Sequence, residues 1–125
     1  MPTVAQMTAA VDHYIAHFNA GDVDALVGLF ADDAVVEDPV GTPPKQGAAA
    51  IREFYTMSIG TGAKLHYVGP TCPTASDLVA YVMYVIVPIQ GTSMRYDVIE
   101  TFRVRDDGKI SEMRAYFGET NISPA

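Results

Sequence analysis

Cysteine and basic residues are scarce in this sequence of 125 residues. The single cysteine, Cys72, cannot form an internal disulfide, which is typical of a protein from a reducing compartment. The eight lysine and arginine residues are spread singly, and the net charge is -7, so no basic stripe could follow a phosphate backbone. Nucleic acid and anionic membrane surfaces are therefore not expected as partners.

Long hydrophobic runs are also absent. The longest, such as VAYVMYVIVPI, fall far short of the roughly 20 residues that span a bilayer, and the N-terminus lacks the pattern of a signal peptide. We therefore expect a cytoplasmic protein. No proline-rich or charged linker divides the chain, which predicts one domain over residues 1–125. Hydrophobic residues make up 49% of the chain, enough for a core and for an apolar cavity or a subunit interface.

Helical spacing dominates the first half of the sequence. Apolar residues recur at steps of three and four from Val4 to Phe18, which predicts a helix over about residues 3–19 with Tyr14 on its buried stripe. A second helix is predicted from Asp22, its N-cap, through Phe30, with the ADDA cluster at its end. A third is predicted over residues 47–57, before the SIGTG segment.

The second half of the sequence is typical of β-strands. After Gly62, four segments rich in β-branched and aromatic residues are separated by short turn sequences, which predicts an antiparallel meander. Helices followed by a sheet indicate an α+β domain, in which about three helices cover one face of a curved, mainly antiparallel sheet. Such an arrangement can enclose an apolar pocket between its layers.

Glu100 is an acidic residue at a position where the strand pattern predicts apolar side chains. Alternate side chains of a strand share a face, so Glu100 lies in an apolar row with Tyr96, Val98, Phe102 and Val104. Burial would raise the pKa of its carboxyl and favour the neutral form. An ion pair with a nearby arginine is the alternative. The same alternation in the last strand puts Met113, Ala115 and Phe117 on one face, with Phe117 as a candidate pocket wall.

Two further polar residues could line the same cavity as Glu100. Asp38 ends the strand-like run AVVED, directly before Pro39, which holds the residue before it in extended conformations. Tyr14 lies on the buried stripe of the first helix. Each has a purely structural alternative, since Asp38 could be a turn residue and Tyr14 a core tyrosine. No HExxH or phosphate-loop motif occurs, and the three histidines lack partners at metal-ligand spacing, so no metal site is predicted.

Nearly the whole chain resembles the Δ5-3-ketosteroid isomerases, small dimeric enzymes of the NTF2-like superfamily with a cone-shaped α+β fold. The resemblance is carried by GLFADDAVVEDPVG, by IREFY and by the closing strand MRAYFGETNI. It implies a homodimer that acts on a 3-oxosteroid or a similar apolar ketone without a metal or organic cofactor.

The resemblance also implies a role for each matching residue. Asp38 would be the base that shuttles the proton, Tyr14 the phenol of the oxyanion hole, and Tyr55 the hydroxyl that orients Tyr14. The second oxyanion donor of the family is a protonated aspartic acid, and this chain has Glu100 there, which is a departure. The residues expected against the substrate are Phe30, Phe54, Val98, Phe102, Met113 and Phe117.

Two other functions remain open at the level of the sequence. A non-catalytic NTF2-like binding module would keep the apolar cavity but would need no ionisable residue at position 38. Another NTF2-like enzyme, such as a relative of the polyketide cyclases or epoxide hydrolases, would need a different set of polar residues in the pocket, with more acids, histidines or an Arg–Asp pair.

Overall fold

The computed structural model describes residues 1–125, which form three α-helices, seven strands and one short 3-10 helix. In chain order these are α1 (Val4–Ala20), α2 (Val23–Val27), β1 (Phe30–Glu37), β2 (Lys45–Gln46), α3 (Ala48–Gly60), β3 (Lys64–Pro73), β4 (Leu78–Ile89), β5 (Thr92–Val104), β6 (Ile110–Tyr116), the 3-10 helix (Glu119–Asn121) and β7 (Ile122–Pro124). None of the helices has the length and apolar character needed to cross a membrane.

The first helix lies where the spacing of apolar residues predicted it, whereas the third begins as predicted but continues to Gly60, into the SIGTG segment that was expected to end it. A capping box begins α1. The Thr3 hydroxyl accepts a hydrogen bond from the backbone N–H of Gln6, and the Gln6 side-chain oxygen accepts one from the backbone N–H of Thr3. The helix ends at Gly21, whose φ of 70° suits a residue without a Cβ. The buried stripe of α1 includes Tyr14, as predicted.

The second helix is shorter than predicted, and Phe30 is not helical. Asp22 caps α2 as expected, since its side chain accepts from the backbone of Ala25, but the helix ends at Val27. Phe30 begins β1, and the ADDA cluster lies inside that strand. The physical reason is pairing with β6: the backbone N–H of Ile110 donates to Leu29, and Phe30 lies opposite Ile110. A non-local ladder therefore overrides the local helical spacing.

All seven strands belong to one sheet, in the order β2-β1-β6-β5-β4-β3, with β7 beside β5. The predicted antiparallel meander from β3 to β6 is confirmed, while β1 pairs with β6 in parallel, so the sheet is mixed. Its inner face packs with the helices into a core that includes Val98, Phe102 and Val104, whereas Ile99 on the outer face is 49% exposed. The predicted α+β fold and the faces of β5 are thus confirmed.

Candidate active site

An apolar cavity of about 250 Å³ lies between the inner face of the sheet, α1 and α3. Its walls are mainly aliphatic and aromatic, among them Phe54, Leu65, Met83, Val98 and Phe117. Five side chains with titratable groups also reach it, from α1, α3, β5 and the end of β1: Tyr14, Asp38, Tyr55, Tyr96 and Glu100. A concave apolar site with a few convergent polar groups is typical of a ligand or substrate pocket.

Asp38 follows the last residue of β1 and lies half-buried at the cavity wall. Burial raises the pKa of its carboxyl to about 6, because the charged form loses its hydration, while the positive charge of Lys45 acts in the opposite direction. The carboxyl is therefore mostly ionised at pH 7. An acid with a pKa this close to neutrality can both take and return a proton.

Glu100 is the only acidic side chain among the fully buried residues, with 1% of its surface exposed. Its partner is the Tyr81 hydroxyl, which donates to Oε1, and not an arginine. Burial, followed by the negative charge of Asp38, raises the pKa of Glu100 to about 8, although the Tyr81 hydrogen bond acts to lower it. The carboxyl is therefore mainly neutral at pH 7 and carries a proton that it can donate.

Tyr14 and Tyr55 form a second pair beside the carboxyls. Their hydroxyl oxygens are 3.0 Å apart, and their rings meet edge to face with centroids 5.8 Å apart. Burial, with the charge of Glu100 as the next cause, raises the pKa of both phenols well above 10. Both hydroxyls consequently stay protonated, and one can donate to a bound oxygen while it accepts from the other.

The structure brings seven of the residues singled out from the sequence to one cavity, and it leaves three behind the wall. The seven are Tyr14, Asp38, Phe54, Tyr55, Val98, Glu100 and Phe117. Phe30, Phe102 and Met113 were expected against the substrate, but they are buried in the core and do not line the cavity. Two of them support it instead, because the Phe30 and Phe102 rings pack against Tyr14, with centroids 6.5 and 5.1 Å away.

Tyr81 is the polar residue of this region that the sequence reasoning missed. It lies on β4, directly opposite Glu100 on β5, and is 1% exposed. A signal was available, since Val79, Tyr81 and Met83 alternate along β4 and so share its buried face. His13 and His66 are exposed, and no group of three or more histidine, cysteine or acidic side chains is arranged to hold a metal ion.

Comparison with known proteins places this geometry in a family. The family model for the SnoaL-like domain, which describes the sequences of that family, matches residues 11–113 of this chain. The chain belongs to the SnoaL-like family. This assignment agrees with the NTF2-like superfamily expected from the sequence. Over 123 residues, which are 97% of this chain and 98% of the relative, the SnoaL-like chain is 31% identical to a steroid Delta-isomerase of Nocardioides simplex.

Two other relatives of this SnoaL-like protein have names that indicate different activities. The epoxide hydrolase LasB of Streptomyces lasalocidi is 29% identical over 126 residues, which cover 84% of this chain but 45% of LasB. SalBIII is described as an epoxide hydrolase/cyclase-like enzyme with a role in pyran ring formation in the polyether salinomycin. Its solved structure superposes on this chain with a TM-score of 0.93 at 26% identity, and the match covers 100% of both chains. The proteins similar to this chain are therefore named for at least two different chemistries.

Proposed function

We propose that this SnoaL-like chain is a cofactor-independent isomerase that moves the double bond of 3-oxo-Δ5-steroids into conjugation with the ketone. The observation that carries the proposal is the convergence of Tyr14, Asp38 and Glu100 on one apolar cavity, where burial raises the pKa of Asp38 to about 6 and that of Glu100 to about 8. Likeness to a steroid Delta-isomerase over almost the full length supports the same activity.

The reaction needs one base and two hydrogen-bond donors. The steroid ketone binds with its oxygen toward Tyr14 and Glu100 and its rings along the apolar walls. Asp38 removes the proton from the carbon between the carbonyl and the double bond. The electron pair of that C–H bond forms a double bond to the carbonyl carbon, and the π pair of the carbonyl moves onto the oxygen to give a dienolate. Protonated Asp38 then returns the same proton to the far carbon of the original double bond. The product is the conjugated ketone, and no atom is gained or lost.

The surroundings of the donors fit this charge flow. Negative charge develops on the steroid oxygen, where the buried phenol of Tyr14 and the buried carboxylic acid of Glu100 can donate to it. A carboxylate at position 100 would repel that charge, so the raised pKa of Glu100 is a requirement of the mechanism. Removal of a single donor of this kind typically costs ~10²–10³ in rate.

The direct test is the conversion of 5-androstene-3,17-dione, followed by the ultraviolet absorbance of the conjugated enone. Asp38→Asn is the matched control, because the amide keeps the shape of the side chain but cannot act as a base. Turnover well above that of the control supports the proposal. If the two proteins are equal while both bind the steroid, the chain is a binding module and not an isomerase.

Opening of an epoxide is a second candidate, favoured by the likeness to LasB and SalBIII. In this reaction Asp38 takes a proton from an attacking hydroxyl or water, whose oxygen bonds to an epoxide carbon. The C–O bond of the epoxide breaks, and Glu100 or Tyr14 gives its proton to the leaving oxygen. Incubation with an apolar hydroxy-epoxide, followed by mass spectrometry, separates cyclisation, which keeps the mass, from hydrolysis, which adds one water.

The homodimer expected from the sequence is also kept as a proposal. On the outer face of the sheet, Ile99 and Tyr116 are neighbours across β5 and β6 and are 49% and 39% exposed. A second copy packed on this face would bury them. Sedimentation of the wild type should give a dimer and Ile99→Lys should shift it to monomer, whereas a monomeric wild type at micromolar concentration would contradict the proposal.

A further inference from the structure

Tyr81 and Glu100 form a buried pair whose two members have different access to the cavity. They are register partners on the antiparallel strands β4 and β5, so their side chains lie side by side on the inner face of the sheet. Glu100 lines the cavity, whereas Tyr81 does not. The Tyr81 hydroxyl is therefore behind Glu100 as seen from a bound ligand.

The hydrogen bond of this pair uses one carboxyl oxygen only. Tyr81 donates to Oε1, and Oε2 has no protein hydrogen-bond partner. No buried side-chain oxygen of the protein lacks a partner, so Oε2 is not sealed inside the core. A neutral carboxyl has one carbonyl oxygen, which accepts, and one hydroxyl oxygen, which donates. Since Tyr81 occupies Oε1 as an acceptor, the acidic proton belongs on Oε2.

We propose that Tyr81 is a positioning residue, whose hydroxyl holds Glu100 in one rotamer and directs the acidic proton of Glu100 to the oxygen available to the substrate. This rests on the proposed role of Glu100 as a donor. A glutamate side chain has three torsions, and its carboxyl would sample several positions without a fixed partner. A donor displaced by about 1 Å can cost on the order of 10²-fold in rate, so a tether at this position has a catalytic consequence.

The groups that face Glu100 are few enough for titration to be interpreted. They are Asp38 after β1, Tyr14 on α1, Tyr55 on α3 and Tyr81 on β4. Burial raises the pKa of all three phenols well above 10. Between pH 5 and pH 9 only Asp38 and Glu100 therefore change charge within this group.

The test is Tyr81→Phe, which removes the hydroxyl and keeps the ring that packs against Phe102 at a centroid distance of 5.6 Å. We expect kcat for the ketosteroid to fall about tenfold, the effect of about 1.4 kcal/mol from one hydrogen bond, with KM nearly unchanged. The alkaline limb of the pH profile should move upward, because the Tyr81 bond stabilises ionised Glu100. In a Glu100→Ala background the same substitution should have no effect.

Tyr67→Phe is the matched control. Its hydroxyl bonds to Thr71 at an exposed position, and its ring stacks on Tyr81, but it lies outside the cavity. It should change neither kcat nor the pH profile. A tenfold loss that persists in Glu100→Ala, or an unchanged alkaline limb in Tyr81→Phe, would mean that Tyr81 acts through packing and would overturn the proposal.

Isotope-edited infrared spectroscopy of the unliganded protein separates this inference from the steroid reaction. The protonated Glu100 carboxyl should show a hydrogen-bonded C=O band that moves to higher wavenumber in Tyr81→Phe. This readout needs no turnover, so it still tests Tyr81 if no ketosteroid is converted. A wild-type band at the frequency of a free C=O would overturn the inference even if the variant failed to fold.

Discussion

The substitution Glu100→Gln tests the protonation state of the buried acid without any substrate. Glutamine has nearly the same shape as glutamic acid, its carbonyl can accept the Tyr81 hydrogen bond, and its amide can donate toward the cavity, but it cannot ionise. The variant therefore removes one titration and little else. We expect the dependence of folding stability on pH to become flatter.

The size of the effect follows from the pKa of Glu100, which rises from 4.5 in the unfolded chain to about 8 in the folded protein. Since the folded value is the higher one, the stabilisation is complete below pH 4.5 and is lost as the pH rises toward 8. Each pKa unit corresponds to 1.36 kcal/mol. Between pH 5 and pH 7.5 the wild type should lose about 3 kcal/mol of stability that Glu100→Gln retains.

Urea unfolding at a series of pH values measures this difference. Asp38 titrates in both proteins, so its contribution largely cancels when the two slopes are compared, and an Asp38→Asn background removes it altogether. A difference of about 3 kcal/mol corresponds to ~1–3 M in the urea midpoint for a small protein. Parallel curves for the wild type and Glu100→Gln would refute the reasoning, because they would mean that Glu100 is already ionised in the folded protein.

Three further outcomes are expected. Asp38→Asn should lower turnover of the ketosteroid by ~10²–10⁴ and abolish the acid limb of the pH–rate profile near pH 6. Steroid binding, measured by fluorescence titration, should be kept, and loss of binding would indicate a structural role. Tyr14→Phe should lower kcat by ~10²–10³ and Tyr55→Phe far less, and equal losses would mean that the two roles are misassigned. Asn19→Ala should reduce the free energy of unfolding by ~1–3 kcal/mol, because the Asn19 amide makes two hydrogen bonds of 2.8 Å to the Leu65 backbone; an unchanged urea midpoint would contradict this.

The parts of the site that could be predicted from the sequence are those fixed by local periodicity. The helical stripe of α1 put Tyr14 inside, and the period of two along β5 put Glu100 in an apolar row. Both follow from the geometry of a single element, so no knowledge of its neighbours was needed. That Asp38 could line the same cavity was inferred from its place at the end of a strand-like run, but the run is too short for periodicity to exclude a turn residue, and its role as a base came from the family resemblance.

The parts that could not be predicted depend on how elements pair. Phe30 fits a helical spacing, but its pairing with Ile110 of β6, far along the chain, makes it a strand residue. Phe102 shares the inward face of β5 with Glu100, yet packing against Tyr14 and Tyr81 places it behind the cavity wall. The Tyr81–Glu100 bond requires the register of β4 against β5, which alternation within either strand does not determine.

One base and one neutral acid on a shared apolar cavity can serve both reactions found among the relatives of this chain. Isomerisation needs a base that returns the proton it takes and a donor that keeps its own. Epoxide opening needs a base that takes a proton from oxygen and an acid that gives its proton up. Asp38, with a pKa of about 6, suits either base role, whereas Glu100, with a pKa of about 8, is held neutral by burial and tethered by Tyr81. Because a fixed donor that stays protonated favours oxyanion stabilisation over proton release, the Glu100 environment supports the isomerase more than the epoxide enzyme.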